Sequence, residues 1–283
     1  MQFIRQCEPF LNVIATGRAV LNSKLVLGNV IERLYLVLGG GSFTKAMISQ
    51  VRTRLNGKVT YGDISGTNVD LMQRYLLLNN TAGFLTIDFT EPVARSIQGQ
   101  LMGAINTNAA GVNDFTVEVD IAGATTPTLQ AWVQLRTPES MSPQMGFDAN
   151  IAPVLRGLIP TTIPITGAGE FQADVNYGAR GLSNIKRLLI FSSILTSLRI
   201  KRDSLDVFES VAAALNTYVA LDYGRVAQAG LYVWDPLVDG NQADAYPTRR
   251  TDGIPSNYQF LFTCSGAGTL TVYADVYTTL NAL

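Results

Sequence analysis

The sequence predicts an all-β protein with short inserted helices, organised as two similar β domains in tandem. Short runs rich in Val, Ile, Thr, Tyr and Phe recur along the 283 residues, and Gly, Asn, Asp and Pro separate them. Many short strands with frequent turns are typical of β-sandwiches and β-barrels. Helical periodicity occurs in only two places, once in each half. With 47% apolar residues, the chain can form two hydrophobic cores of ordinary size.

The predicted strands are short, and several alternate between apolar and polar side chains. In residues 115–121, the apolar side chains of Phe115, Val117 and Val119 all fall on one face of a strand. The clearest strands are residues 32–38, 84–89, 115–121 and 129–135 in the first half, and residues 186–191, 230–234, 258–263 and 269–277 in the second half.

The first half contains a predicted hairpin followed by a predicted helix. Asn56-Gly57 suits a type I′ turn, in which both central residues need a positive φ, so residues 51–55 and 58–61 should pair. Thr67 then precedes a short helical pattern. Three of its residues share an apolar face: Val69, Met72 and Tyr75.

The second half repeats this order. A turn is expected at Asp203-Ser204, and a helix is expected to follow directly, with Asp206 and Glu209 at the spacing of a capping box. Its apolar stripe, at intervals of four, four and three residues, is Val207, Val211, Leu215 and Tyr218.

The remaining elements also recur in one order, which indicates an internal repeat. In each half, a strand that begins with Arg-Leu precedes the turn and helix, and a strand that begins with Ala-Gly follows them. These strands are residues 33–37 and 82–88 in the first half, and residues 187–191 and 229–235 in the second half. Two closing strands complete each copy. We therefore predict two copies of one barrel fold.

A proline-rich stretch indicates where the copies join. Residues 137–143 contain two prolines among polar residues, and Pro153, Pro160 and Pro164 follow. Because proline lacks a backbone N–H and restricts the residue before it, we expect this stretch to avoid both sheet and helix. The junction is predicted near residues 145–158, with residues 1–150 as the first barrel with an N-terminal arm and residues 151–283 as the second.

One part of the first half resembles a known protein family. It comprises VRTRLNGK at residues 51–58, the helix to Tyr75, and AGFLTIDFTEP at residues 82–92. This segment resembles the corticovirus-type major capsid proteins of icosahedral bacteriophages that contain a lipid membrane. The resemblance is specific over residues 30–92 and extends as architecture over most of residues 20–280, where the second copy follows it more loosely.

The resemblance implies a tandem double jelly roll that acts as a structural major capsid protein. Three copies would supply six barrels, which form a pseudo-hexagonal capsomer of an icosahedral shell over an internal membrane. Its implied partners are further copies of the chain, vertex and minor capsid proteins, and membrane lipids contacted by the N-terminal region. The implied location is the virion, after assembly in the cytoplasm of the bacterial host.

Composition agrees with extensive contact between copies. Charged residues make up only 15% of the chain, against an average of ~25%. Arginine outnumbers lysine by 16 to 5, and interfaces favour arginine. A net charge of −1 without a basic tail argues against direct, sequence-specific nucleic-acid binding. We expect no secretory signal, since the N-terminus lacks a continuous apolar stretch.

The sequence predicts no enzyme. The absence of histidine excludes Ser-His-Asp and Cys-His catalysis and histidine-ligated zinc. Cys7 and Cys264 are isolated, and we expect both to be buried and free. Glu118 and Asp120 share a strand face, as two glycosidase carboxylates could, but an outward-facing charged face explains them better. No catalytic or cofactor-binding residue is therefore assigned.

Two pairs of carboxylates are the only candidate metal ligands. Asp88 with Glu91, and Asp235 with Asp239, lie near predicted strand ends, where they could hold a structural calcium ion at subunit contacts. The metal assignment is otherwise unknown. Residues 39–41, three glycines, lack the remaining residues of a phosphate-binding loop and are predicted to form a flexible barrel loop.

Several arginines are candidates for surface contacts. Arg52 and Arg54 alternate along a strand, and we expect them to be solvent-exposed or to form salt bridges between subunits. The same expectation covers the pair Arg249-Arg250. Arg5 and Arg18 are the candidates for contact with anionic lipid headgroups: they lie near the N-terminus.

The alternative hypothesis is a tandem jelly-roll protein that binds carbohydrate or attaches to a host. Such a protein stacks sugars on exposed aromatic rings, and the candidates are Trp132, Trp234 and Tyr232. All three lie in strongly apolar strands, so we expect them in the cores. A third possibility, a β-barrel hydrolase, rests only on the carboxylates named above.

Overall fold

The computed structural model describes residues 2–78, 80–108, 111–137, 154–175, 177 and 183–282. We call residues 2–137 the first lobe and residues 154–282 the second lobe. The first lobe contains β1 (Gln2–Gln6), β2 (Gly17–Asn22), β3 (Val30–Gly40), β4 (Ile48–Leu55), β5 (Lys58–Ile64), α1 (Gly66–Tyr75), β6 (Phe84–Asp88), α2 (Ile97–Leu101), β7 (Ile105–Asn106), β8 (Phe115–Ile121) and β9 (Pro127–Arg136).

The second lobe repeats this arrangement. It contains β10 (Val154–Ile165), β11 (Gly169–Val175), β12 (Ser183–Phe191), β13 (Leu195–Arg202), β14 (Leu205–Ala212), α3 (Ala213–Asp222), β15 (Leu231–Trp234), β16 (Tyr246–Pro247), β17 (Tyr258–Cys264) and β18 (Gly268–Thr279).

Strand pairing confirms the repeat. In the first lobe, one sheet has the order β1-β9-β3-β6 and the other has the order β2-β8-β4-β5. The second lobe has β10-β18-β12-β15 and β11-β17-β13-β14. When the eight long strands of each lobe are counted in chain order, both lobes give 1-8-3-6 and 2-7-4-5. Two such sheets make a jelly roll, so the predicted tandem double jelly roll is confirmed.

Both predicted turns are present and close hairpins. Asn56 and Gly57 have φ of 50° and 75°, and Leu55 pairs with Lys58 across the turn. Asp203 and Ser204 have φ of 49° and 71° and join β13 to β14. Positive φ at both central positions is the type I′ geometry, whose twist matches that of the flanking strands.

The first predicted helix is confirmed, although it begins before Thr67, at Gly66. Helix α1 buries Val69, Met72 and Tyr75, as its apolar stripe indicates. Its N-cap is Ser65, whose hydroxyl accepts a hydrogen bond from the Asn68 N–H. Serine at this position satisfies one of the free N–H groups of the first turn.

The second predicted helix is wrong over its first half. Residues 205–212 form β14, and α3 begins only at Ala213, whose N-cap Ala212 makes no side-chain capping bond. The predicted capping box is absent, because Asp206 instead pairs with Arg199 across the hairpin. The turn at residues 203–204 sets the register of the returning strand, and that strand pairing overrides the helical spacing of the apolar residues.

Prolines do not keep the chain out of the sheet, contrary to our expectation. Pro160 and Pro164 both lie in β10, which pairs with β18 along its whole length. Their even spacing puts both ring nitrogens on one edge of the strand, and β5 meets that strand only at Leu158. Proline is tolerated at such an edge. Residues 138–153, including most of the predicted junction, lie outside the described residues.

Residues 2–6 form β1, which pairs with β9. One further sequence prediction needs correction. Gly39 and Gly40 are not in a flexible loop, since they end β3 and pair with Thr128 and Pro127. At Gly40 the φ is +91°, and an added Cβ would lie 2.0 Å from the Thr126 carbonyl oxygen. Only glycine fits this close approach.

The lobes share part of their hydrophobic core. The core of the first lobe includes five second-lobe side chains from strands β12, β15 and β18: Leu189, Phe191, Leu231, Val233 and Tyr273. A separate core lies between the two sheets of the second lobe. Cys7 and Cys264 are buried and free, as expected. Among the described residues, no helix has the length and apolar character to cross a membrane.

Candidate functional site

The outer face of the sheet β10-β18-β12-β15 rests on the first lobe. At the edge of this contact, Leu158 of β10 pairs with Tyr61 of β5 in a parallel bridge, so one sheet continues from lobe to lobe. The Tyr75 hydroxyl of α1 donates to the Asp235 carboxylate over 3.2 Å. The Tyr273 hydroxyl donates to the Asp63 carbonyl over 2.9 Å. The contact is therefore continuous from β5 to α1.

A buried group of charges lies at the centre of this contact, and we call it the inter-lobe ionic cluster. It combines three cations and three carboxylates, all with 3% or less of their side-chain surface exposed. Five of them belong to the second lobe, and one belongs to the first. The members are Glu91, Arg156, Lys186, Arg187, Asp235 and Asp275.

Each charge in the inter-lobe ionic cluster faces an opposite charge. Arg156 holds Asp275 in a two-pronged pair, with its Nη2 and Nε donating over 2.7 and 2.9 Å. The Lys186 Nζ lies 2.8 Å from the Glu91 carboxylate. Arg187 lies 2.9 Å from Glu91, 3.3 Å from Asp275 and 3.2 Å from Asp235. The guanidinium of Arg187 thus links three carboxylates.

The surrounding charges decide the protonation of the cluster. Burial alone raises the pKa of Glu91, but Arg187 and Lys186 outweigh it and hold the pKa well below its usual range. Burial likewise opposes ionisation of Asp275, and Arg156 and Lys186 lower its pKa. Both carboxylates are therefore ionised at neutral pH, which leaves neither free to act as a general acid.

Sequence reasoning missed this cluster as a site. The sequence alone assigns no role to three of its members, although each is a charged residue within an apolar strand: Arg156, Lys186 and Asp275. That was the available signal, because charged residues are almost never fully buried unless they are paired. Glu91, the partner of Lys186, lies 95 residues away in the other lobe, so local spacing gave no hint of the pairing.

The predicted carboxylate pair on β8 is neutralised by arginines of the same chain. Glu118 accepts from Arg52 over 3.0 Å and from Arg54 over 2.9 Å, and Asp120 accepts from Arg18 over 2.6 Å. Burial opposes ionisation of Glu118, but the hydrogen bonds from Arg52 and Arg54 outweigh it and lower the pKa. A glycosidase acid needs a raised pKa, so this pair does not fit one.

These contacts correct the expectation for Arg52 and Arg54. Arg52 is buried, with 8% of its surface exposed, and its partners lie within the chain rather than in another subunit. Arg54 is half-buried beside the same Glu118. The pair Arg249-Arg250 also has partners within the chain, since Arg250 lies 3.4 Å from Asp252 and Arg249 donates to the Gly253 carbonyl.

Cations already face the candidate calcium ligands. Asp88 is buried beside Arg33, and burial raises its pKa. Glu91 and Asp235 meet at Arg187 in the inter-lobe ionic cluster, and Asp239 lies 3.6 Å from Arg95. Within the described ranges, no group of three or more Asp, Glu or Cys side chains is placed to hold a metal ion. The donor set therefore fits arginine and lysine better than calcium.

The three candidate aromatic residues have different positions. Trp234 and Tyr232 are buried, as expected for core residues. Trp132 is only half-buried and points away from the core, because its neighbours Ala131 and Val133 occupy the inner face of β9. It lines an open groove of about 620 Å³ on the outer face of the sheet β1-β9-β3-β6, which we call the first-lobe groove. Its other walls include Ile4, Arg33, Tyr35 and Phe84.

Comparison with known proteins assigns the fold and the family. Residues 4–136 match the N-terminal domain of viral coat protein P2, and residues 155–280 match its C-terminal domain. Among curated proteins, no sequence matches the chain.

Solved structures give the same fold. The major capsid protein P2 from bacteriophage PM2 superposes with a TM-score of 0.83 at 17% identity, covering 99% of this chain and 98% of that one. The STIV MCP superposes with a TM-score of 0.71 at 11% identity, covering 99% of this chain and 98% of that one. The PBCV-1 virus capsid protein superposes with a TM-score of 0.65 at 11% identity, covering 100% of this chain and 95% of that one.

The family match confirms the predicted role as a structural protein of the virion rather than an enzyme. Coat proteins assemble with copies of themselves into capsomers and shells, so the broad prediction of self-association is confirmed as well. With both lobes matched in order and the double jelly roll present, the chain belongs to the viral coat protein P2 family.

Proposed function

We propose that this coat protein is the building block of a trimeric, pseudo-hexagonal capsomer in the icosahedral shell of a bacteriophage with an internal membrane. The observation that carries the proposal is the topological identity of the two lobes. Three chains with two equivalent lobes present six similar jelly rolls from threefold symmetry. A capsomer of nearly sixfold shape packs on a hexagonal net, which is how the shell would be tiled.

The division of the chain supports this proposal. Residues 1–150 and 151–283 would each form one jelly roll, and the inter-lobe ionic cluster would fix their relative position. Because each buried charge faces a counter-ion in one arrangement, a different docking of the lobes would leave charges unpaired. A chain of fixed shape is what a closed capsomer requires.

The mass of the purified protein in solution tests the proposal. Light scattering should give three times the chain mass of 30.6 kDa, with little monomer at micromolar concentration. A particle of one chain mass throughout the concentration range would contradict the trimer.

Other partners are part of the same proposal. Vertex and minor capsid proteins would bind the assembled shell in the host cytoplasm, and the net charge of −1 argues against direct genome binding. Arg5 is exposed and donates a 3.3 Å hydrogen bond to the Leu25 carbonyl, and Arg18 is half-exposed beside Asp120. These arginines would face anionic lipid. Replacing both with Gln should weaken flotation with phosphatidylserine vesicles, and unchanged flotation would contradict the contact.

The carbohydrate-binding alternative is favoured by one observation. Trp132 and Phe84 expose aromatic surface in the first-lobe groove, as sugar stacking requires. A monomeric chain that binds glycans, and loses them after Trp132→Ala, would support this alternative over the capsomer.

A further inference from the structure

The repeated topology allows residues of the two lobes to be equated strand by strand. Arg33 pairs with Asp88 across β3 and β6. In the second lobe, the paired part of β12 and β15 begins with Leu188 opposite Trp234, and one residue further along the same register are Arg187 and Asp235, whose side chains lie 3.2 Å apart. By the same reckoning, Trp132 corresponds to Tyr273, since they lie opposite Tyr35 and Leu189 respectively. The outer face of β1-β9-β3-β6 is therefore the counterpart of the outer face of β10-β18-β12-β15.

These equivalent faces differ sharply in exposure. In the second lobe, Leu158 is 2% exposed and Leu231 is 8% exposed, because the first lobe covers them. Their counterparts in the first lobe are Ile4, at 61%, and Phe84, at 49%. The face that the chain covers in its second lobe is thus left open in its first lobe, where it forms the first-lobe groove.

The cover on the second lobe includes α1, the neighbouring strand β5 and the segment that carries Glu91. Helix α1 has its apolar side chains buried and sends the Tyr75 hydroxyl to Asp235. The Val226 N–H also donates to the Tyr75 carbonyl over 3.1 Å. Strand β5 meets β10 at Tyr61.

The counterparts of this cover are exposed. Helix α3 follows the β13–β14 hairpin as α1 follows the β4–β5 hairpin, but among its residues only Ala220 is buried, and its large apolar side chains are exposed. Strand β14 is the last strand of its sheet, so its outer edge has no strand beside it within the described part of the chain. The exposed apolar residues of α3 and the turn after it are Leu215 (54%), Tyr218 (65%), Val219 (42%), Leu221 (54%) and Tyr223 (48%).

We infer that α3 and the edge of β14 of one copy pack into the first-lobe groove of the next copy, repeating between chains the contact that α1 and β5 make within a chain. This inference rests on the proposed trimer and names its contact surfaces. Each chain then offers one helix and one groove, so the contact is head-to-tail and generates a ring when the rotation closes. Six lobes would be joined around that ring by one repeated contact.

The contact that α1 and β5 make within the chain also predicts the details of the contact between chains. Strand β1 of the next copy, the counterpart of β10, should lie beside β14, with Ile4 covered as Leu158 is. Asp88, at the wall of the first-lobe groove, holds the place of Asp235. Tyr218 and Tyr223 are the tyrosines of α3 and its following turn that can bring a hydroxyl to it, as Tyr75 does within the chain.

Two single substitutions test the surfaces. Leu215→Asp on α3 and Phe84→Asp in the groove should each reduce trimer affinity at least tenfold and shift the mass toward one chain. Ile254→Asp is the matched control, since Ile254 is exposed to the same 54% as Leu215 and belongs to the β16–β17 loop, which is part of neither surface. Circular dichroism should be unchanged in all three. Full trimer affinity in both test variants would overturn the inference while leaving the trimer standing.

Crosslinking tests the head-to-tail geometry independently. A chain with Tyr218→Cys and Phe84→Cys, treated with a short bis-maleimide, should give covalent trimers, and each single-cysteine chain should give none. Cys7 and Cys264 are buried and should stay unreacted. Dimers from a single-cysteine chain would show a symmetric contact and overturn the inference. A wild-type chain that stays monomeric at every concentration would instead overturn the proposed trimer itself.

Discussion

Single charges in the inter-lobe ionic cluster carry the docking of the two lobes. Glu91 is its one first-lobe member, and its carboxylate meets both Lys186 and Arg187. Removing ions from water costs several kcal/mol each, so such a cluster is tolerated only when every charge is paired. We expect the pairing to specify one arrangement of the lobes more than it adds net stability.

Neutralising one cluster member should therefore be severe. In Asp275→Asn, Arg156 loses its two-pronged partner in a fully buried position, and we expect a loss of ~3–5 kcal/mol in the free energy of unfolding. Urea denaturation measures it. Asp206→Asn breaks the exposed pair with Arg199 and serves as the control, with little change expected. Equal effects from the two substitutions would contradict the role of burial.

The cluster also predicts the acid sensitivity of the fold. Since the folded pKa of Glu91 lies below its unfolded value, its contribution is complete above about pH 4.3 and is lost as the pH falls toward the folded pKa. The urea midpoint of Glu91→Gln should thus fall less steeply between about pH 4.5 and 2 than that of the unchanged chain. Parallel midpoint curves for the two proteins would argue against this linkage.

Among the elements, those set by local backbone geometry could be predicted from sequence, and those set by distant partners could not. Asn56-Gly57 requires a particular turn, and α1 has one apolar stripe, so both were predicted. The apolar stripe from Val207 to Tyr218 has the spacing of a helix, but its first half pairs in the hairpin and forms β14. The alternation of apolar and polar residues on β9 predicts a strand that contains Trp132, but it does not show which face of that strand packs against the core.

The end of β3 offers a test at this scale. Gly40→Ala should destabilise the fold by more than ~1 kcal/mol, because the residue has φ of +91° and its Cβ would strike the Thr126 carbonyl. The midpoint of urea unfolding is the measurement. Gly266→Ala is the control, since no atom lies within 4 Å of its added Cβ. A midpoint for Gly40→Ala that matches the control would show that the close approach does not constrain the chain.

At the scale of the whole molecule, the repeat was visible in sequence because both copies keep the order of strand, turn, helix and strand. The asymmetry between the copies was not visible. Both sheet faces carry apolar side chains, and only the folded chain shows that one face is covered by α1 while the other is open beside Trp132 and Phe84. Functional surfaces of this kind depend on which equivalent positions the chain leaves uncovered.

Electron cryomicroscopy of the purified oligomer tests the central claim most directly. The account predicts a ring of six jelly rolls with threefold symmetry, in which α3 of each chain lies against the β1-β9-β3-β6 face of the next. A particle with twofold symmetry, or one in which that face stays open to solvent, would contradict it.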